Sequence, residues 1–253
     1  MRIRGFVALL AVGLLATACG GSSAKTGSAG PTTTKPATPQ QLAADKALAQ
    51  QAVLRLSDLP AGYKGTPHDE SPDDTPPAVL KKFAACIHVP KSELEQLFSN
   101  AKNPNKPSVD APDFQLDVSR LQQASFQNSV EVDRTTKEIS EPLTLLAAPT
   151  AINCWKAFFA AAVSAGAPAD GSIKSVTVAA LPDPKVGDQA TAFEARMQIT
   201  ASGITVPLYF DFYLARRGRA GVSLLGLGTG MQIDHALEVA LLGKVVHRLA
   251  PAS

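Results

Sequence analysis

From residue 39 onward the apolar positions first recur with helical spacing. Leu42, Leu48, Ala52 and Leu56 share one stripe, behind Thr38 as N-cap and Pro39 at the first helical position. The Pro-Gly turn in "LSDLPAGY" predicts the end of this helix. A second helix is predicted over Ala78–Val89. A short third one lies near Ser92–Ser99, where Ser92 and Glu95 have the spacing of a capping box. Residues 64–77 and 100–112 are polar and proline-containing and read as loops. The period then drops to two. Phe114, Leu116 and Val118 alternate, as do Val130 and Val132, which predicts two strands. Helical sequence opens at Ser140-Glu141-Pro142 and runs to Ala165, with Pro149 as a break point and Leu143, Leu146, Cys154, Phe158 and Ala162 along it.

The last third alternates again. Val176 and Val178 mark one strand, and Phe193, Met197 and Ile199 mark the core face of the next. Ser202-Gly203 is a tight hairpin turn. Val206, Leu208, Phe210, Phe212 and Leu214 then point one way, and Tyr209, Asp211 and Tyr213 the other. Arg217-Gly218 turns the chain into Ala220–Leu227. A final helix over Asp234–Leu249 places Leu237, Leu241 and Val245 at i, i+4, i+8, with Asp234 as N-cap. Strands joined by tight turns are antiparallel. The expected class is therefore α+β: one domain over residues 39–253, a twisted antiparallel sheet with helices packed on one face.

The N-terminus changes the picture. Arg2 and Arg4 precede an apolar run from Phe6 to Leu15, followed by small residues, which is the order of a secretory signal. The run is too short for a spanning helix, which needs about 20 residues. Leu15-Ala16-Thr17-Ala18 before Cys19 resembles the lipobox of bacterial lipoproteins. That resemblance implies a signal peptide over residues 1–18 and a diacylglyceryl thioether on Cys19. It also implies anchoring to the outer face of the cell membrane. Residues 19–38 continue as a Gly, Ser, Thr and Pro tether too poor in apolar side chains to order itself.

Charge follows from this reading. The chain has 24 Lys and Arg against 22 Asp and Glu, and the excess is carried by Arg2 and Arg4. A chain beginning at Cys19 is formally neutral, so no electrostatic case for nucleic acid remains. With Cys19 lipidated, Cys86 and Cys154 are the remaining cysteines of an exported chain and are expected to pair. The alternative is two buried thiols.

The helix leading into "LSDLPAGY", the two cysteines, the run "VGDQATAFEARMQITASGITVPLYFDFYLARRGRAGVSLLGLG" and the closing helix resemble uncharacterised actinobacterial, mycobacterial-type envelope lipoproteins. They are similar in pattern to the extracellular sensor domains of PknH-type kinases. The resemblance implies a helix-covered antiparallel sheet with a cleft that binds a ligand. Those sensors carry two disulfides where this chain can form one, and no functional residue is carried over.

No residue pattern predicts catalysis, a cofactor or a metal. "GLGTG" at 226–230 lies between strand and helix, but its spacing and the absence of a following βαβ unit exclude a dinucleotide fingerprint. Ser-x-x-Lys and Lys-Thr-Gly overlap in "SSAKTG" on the tether, where no nucleophile can be held against its base. His68, His88, His235 and His247 lack metal-ligand spacing, and His68 with Asp69, Glu70, Asp73 and Asp74 reads as a solvated acidic loop. Two candidate ligand sites remain. One is an open sheet face bearing Glu194, Arg196 and Gln198 on one strand and Tyr209, Asp211 and Tyr213 on its neighbour. The other is a cavity lined by Phe158, Phe193, Phe210 and Phe212. The expected function is non-enzymatic binding of an envelope lipid, glycan or peptide by a membrane-anchored lipoprotein. The alternatives are a protein-interaction or regulatory lipoprotein of the envelope and a hydrolase using Asp211 or Glu194.

Overall fold

A computed structural model describes residues 37–68, 76–88, 106–166 and 172–249. The signal segment, Cys19, the tether up to residue 36, the acidic residues 69–74 and the helix expected near Ser92–Ser99 lie outside these residues.

The first helix, α1 (Pro39–Ala52), begins as read: Thr38 caps it, and Thr38 and Gln41 exchange the two bonds of a capping box. It ends earlier than the stripe through Leu56 predicts. Leu56 belongs instead to a short 3₁₀ turn, Leu56–Asp58, and is exposed. Two segments read as loops contain short strands, β1 (Lys64–Thr66) and β2 (Ser108–Asp110). Three residues are too few to show alternation, so pairing with neighbours alone defines them. The remaining strands are β3 (Asp113–Asp117), β4 (Gln123–Val132), β5 (Ser172–Ala180), β6 (Gln189–Ala201), β7 (Ile204–Arg217) and β8 (Ala220–Thr229).

Helix α2 (Pro77–Cys86) is followed by α3 (Thr136–Ala147) and α4 (Pro149–Gly166). The long helical segment thus starts four residues before Ser140, because Thr135 and Glu138 form a capping box there, and Pro142 sits inside α3. The chain bends by 78° between α3 and α4, at the proline break. The last helix, α5 (His235–Arg248), is capped by Asp234 as expected. Among the described residues no single helix is long and apolar enough to cross a membrane.

The strands form one antiparallel sheet in the order β1-β3-β4-β8-β7-β6-β5, with β2 also on β4. The α+β class stands. The placement of the helices on one face does not. α2, α3 and α4 cover the face carrying Phe193, Met197, Phe210, Phe212, Leu214, Leu225 and Leu227. α1 and α5 cover the opposite face, over Val130, Val132, Tyr213, Ala215, Val222 and Leu224. The reason is in the central strands. On β7 and β8 both parities are apolar (Leu214 against Tyr213 and Ala215, Leu225 against Leu224), so both faces must be buried. α5 matches them with a wide stripe, Leu241, Leu242, Val245 and Val246.

Cys86 and Cys154 are disulfide-bonded, Cα atoms 5.7 Å apart, joining α2 to α4. Beneath them Trp155 is fully buried, stacked on Phe193 at 4.8 Å and edge-on to Phe158 at 5.6 Å. Phe193 stacks on Phe212 at 4.7 Å, and Phe159 meets Phe210 at 5.8 Å. The aromatic side chains read as candidate cavity walls therefore fill the space between sheet and helices with one another.

Candidate functional site

The register of β6 on β7 sets Glu194 opposite Asp211, Arg196 opposite Tyr209 and Gln198 opposite Pro207. Strand alternation places Glu194, Arg196, Gln198, Tyr209, Asp211 and Tyr213 on one face, as the sequence predicts. That face is not open. α5 and the loop before it lie over its inner half, so Tyr213 and Asp211 are about fully buried and Glu194 is only 5% exposed. Arg196 and Gln198 remain exposed, and Tyr209 is half-buried. The six residues thus divide into a buried carboxylate group and an uncovered strip.

Three residues that the strand pattern did not single out adjoin the buried carboxylates: Gln232, which is exposed, His235, which is partly exposed, and Glu238, which is buried. Arg196 Nε donates to Glu194 Oε1 at 2.6 Å, and Gln232 Nε2 donates to Glu194 Oε2 at 2.8 Å. His235 Nε2 lies 3.5 Å from Glu194 Oε2 and 3.4 Å from Asp211 Oδ2. The Tyr213 hydroxyl donates to Glu238 Oε2 at 3.0 Å. Both Asp211 oxygens and Glu238 Oε1 are buried, and the two carboxyls face each other with no other hydrogen-bond partner. Charge is expensive here. Burial, and then repulsion between neighbouring carboxyls, raises the pKa of Glu238; burial likewise raises Asp211 against the attraction of His235. Burial and the facing Glu238 raise Tyr213 as well. The bond to Glu194 raises Arg196, which stays a guanidinium. Glu194, Asp211 and His235 can present one donor atom each within 4.8 Å of one another, a set able to hold a metal ion.

The glycines of "GLGTG" make room for this arrangement and form no phosphate loop. Gly226 stands across from Asp211 on β8, and a Cβ there would overlap Glu238 Oε1. A Cβ on Gly228 would overlap the Met231 carbonyl, and Gly230 has φ +65° with the Leu121 carbonyl against it. The glycine positions let the chain after β8 fold tightly back over the sheet. Glu238 carried a readable signal. It is an acid three and four residues before Leu241 and Leu242, at a core position of α5. His235 and Gln232 carried none, since their partners come from β6 and β7.

Elsewhere, His68, just after β1, pairs with Asp113 of β3 at 2.8 Å. Lys106 bridges Glu131 at 2.8 Å and Asp133 at 2.9 Å in a second buried polar group, at the end of β4. An open groove of about 550 Å³ runs between α4 and the edge strand β5, past Asn153, Lys156, Ile173 and Val176.

No protein-family model and no curated protein matches the chain. Among solved structures, that of LpqN, described as involved in cell envelope biogenesis of Mycobacterium tuberculosis, matches with 8% identity and a TM-score of 0.30, over 77% of this chain and 79% of that one. Those values establish neither a common fold nor a common role.

Proposed function

We propose that this chain is an exported lipoprotein, anchored to the outer face of the cell membrane through Cys19, that acts by binding and not by catalysis. Its ligand is a polyhydroxylated envelope component, a glycan or glycosylated headgroup, met by the uncovered strip of β6 and β7. The observation that carries the reading is the shelf formed by Arg196 and Tyr209. The guanidinium lies 5.9 Å from the ring centroid and is held there by a buried carboxylate. Gln198 extends the shelf with exposed amide donors and acceptors. Such a surface offers an aromatic ring for stacking beside fixed hydrogen-bond donors.

Two further observations support the parts of this reading. The Cys86–Cys154 disulfide suits an oxidising, extracytoplasmic compartment and leaves Cys19 as the third cysteine of the chain. Asp211, the acid a hydrolase would need, is roofed by α5 and has no exposed surface for a substrate bond to reach. The aromatic side chains packed between sheet and helices support a ligand on the surface over one between the layers.

The test has two parts. Mass spectrometry of the mature N-terminus is expected to show diacylglyceryl-modified Cys19; an unmodified thiol or cleavage elsewhere overturns the anchoring. Glycan-array and liposome binding by the full mature chain is expected to show a ligand whose affinity falls at least about tenfold in Tyr209→Ala, as for loss of a stacking anchor. No binding across glycans and glycolipids, or equal binding by the variant, overturns the ligand assignment.

A further inference from the structure

We propose that Glu194, Asp211 and His235 form a binding site for one divalent transition-metal ion of the zinc class. This goes beyond the ligand strip described above and stands whether or not that strip binds anything.

Geometry comes first. Two donors on a common ion at 2.0–2.1 Å, set at a tetrahedral angle, are roughly 3.3 Å apart. His235 Nε2 is 3.5 Å from Glu194 Oε2 and 3.4 Å from Asp211 Oδ2. Two edges of such a tetrahedral face are therefore near their final length before any ion pulls on them, and the third donor pair lies within 4.8 Å. One imidazole nitrogen with two carboxylate oxygens is a donor set that suits zinc and its neighbours; calcium and magnesium prefer oxygen alone.

The second observation is Asp211 itself. It is completely buried, it points at His235, and its oxygens meet no hydrogen-bond donor other than the neighbouring Glu238 carboxyl. A native fold rarely leaves a buried carboxylate in that condition without a counter-ion. Glu238 is buried on the same side and faces Asp211 carboxyl to carboxyl. Arg196 engages Glu194 through Oε1 and leaves Oε2 for the cluster.

The surroundings fit a held ion. Gln232 Nε2 lies 2.8 Å from Glu194 Oε2 and 3.3 Å from His235 Nε2, so turning its amide over would present Oε1 to the same point as a fourth donor. His235 is one-third exposed and gives an ion a way in from solvent. The three ligands come from β6, β7 and the first turn of α5. Bound metal would thus pin the helix to the sheet.

The experiment uses the full mature chain, stripped with a chelator and then titrated with Zn²⁺ by calorimetry, with retained metal measured by elemental analysis. The expected result is one equivalent of zinc and a raised melting temperature. Both are lost, or affinity falls at least about tenfold, in His235→Ala and in Glu194→Gln. His235 is partly exposed at the start of its helix, so its replacement is the variant least able to disturb the fold. Emission from Trp155, the single tryptophan, sits in the opposite layer and checks that each variant is folded. Well under one equivalent of zinc in the wild type, or unchanged affinity in folded His235→Ala, overturns the site.

Discussion

At the scale of single residues, the structure turns on where a side chain is missing as much as on where one is present. Gly226 is the clearest case. Its φ is ordinary, so any residue could adopt its backbone; the Glu238 carboxylate is what excludes a side chain. Glu238 is itself buried and tied to Tyr213, so it has nowhere to swing. Gly226→Ala is expected to destabilise the chain by roughly 1–3 kcal/mol, the usual cost of overpacking. Denaturant unfolding followed by Trp155 emission measures it; a change within a few tenths would show that α5 can lift freely off the sheet. Asp133 offers a second test. It is 1% exposed against Lys106, and burial pushes its pKa up to about 6 from the ordinary 3.8. The folded chain therefore binds this proton more readily than the unfolded one. The resulting stability is fully present below about pH 4 and is lost as the pH rises through about 6. Asp133→Asn removes the titration. Its stability profile from pH 4 to 7 is expected to decline less than that of the wild type, by up to about 3 kcal/mol. Parallel profiles would refute the assignment.

At the scale of elements, the two helical layers are held by different means. α5 docks through aliphatic packing over Tyr213, Val222 and Leu224 and through Arg248, which bonds Asp58 and the carbonyls of Ala52 and Val53 at the end of α1. α2 is a ten-residue helix whose buried side chains are Leu80, Phe83 and Ala84, and its packing partner is α4. The disulfide is what ties it there, closing a loop of 68 residues. In the chain-entropy model such a closure is worth roughly 4 kcal/mol. Reduction, or the Cys86→Ser, Cys154→Ser double variant, is expected to lower the melting temperature and to release α2 first. Hydrogen exchange would read this as protection lost across residues 77–86 while α5 stays protected. Uniform loss across both layers would contradict it. α3 and α4 show why helix boundaries were only partly legible. Pro142 looks like a start because proline favours a first turn, yet the Thr135–Glu138 capping box lies upstream and wins.

At the scale of the whole molecule, one sheet carries two cores, and its central strands are apolar on both sides. The sequence by itself determined the strand order within the β6–β7–β8 meander, because tight turns leave neighbouring strands no other pairing. It determined the limits of α1 at its start and of α5 at both ends, because capping residues act locally. Cysteine arithmetic under the export reading matched the disulfide. Local alternation also named the face shared by Glu194, Arg196, Gln198, Tyr209, Asp211 and Tyr213. Tertiary structure alone decided what covers that face. Whether a strand's polar side meets solvent or a helix depends on elements distant in the chain, and α5 returns over residues some 25 to 41 positions earlier. That return divided six residues read as one surface into an exposed shelf and a buried carboxylate–imidazole cluster. His235 could join Glu194 and Asp211 only there, because a ligand set drawn from two strands and a helix has no fixed spacing in sequence. It exists when packing brings the three side chains within 4.8 Å of one another, and not before.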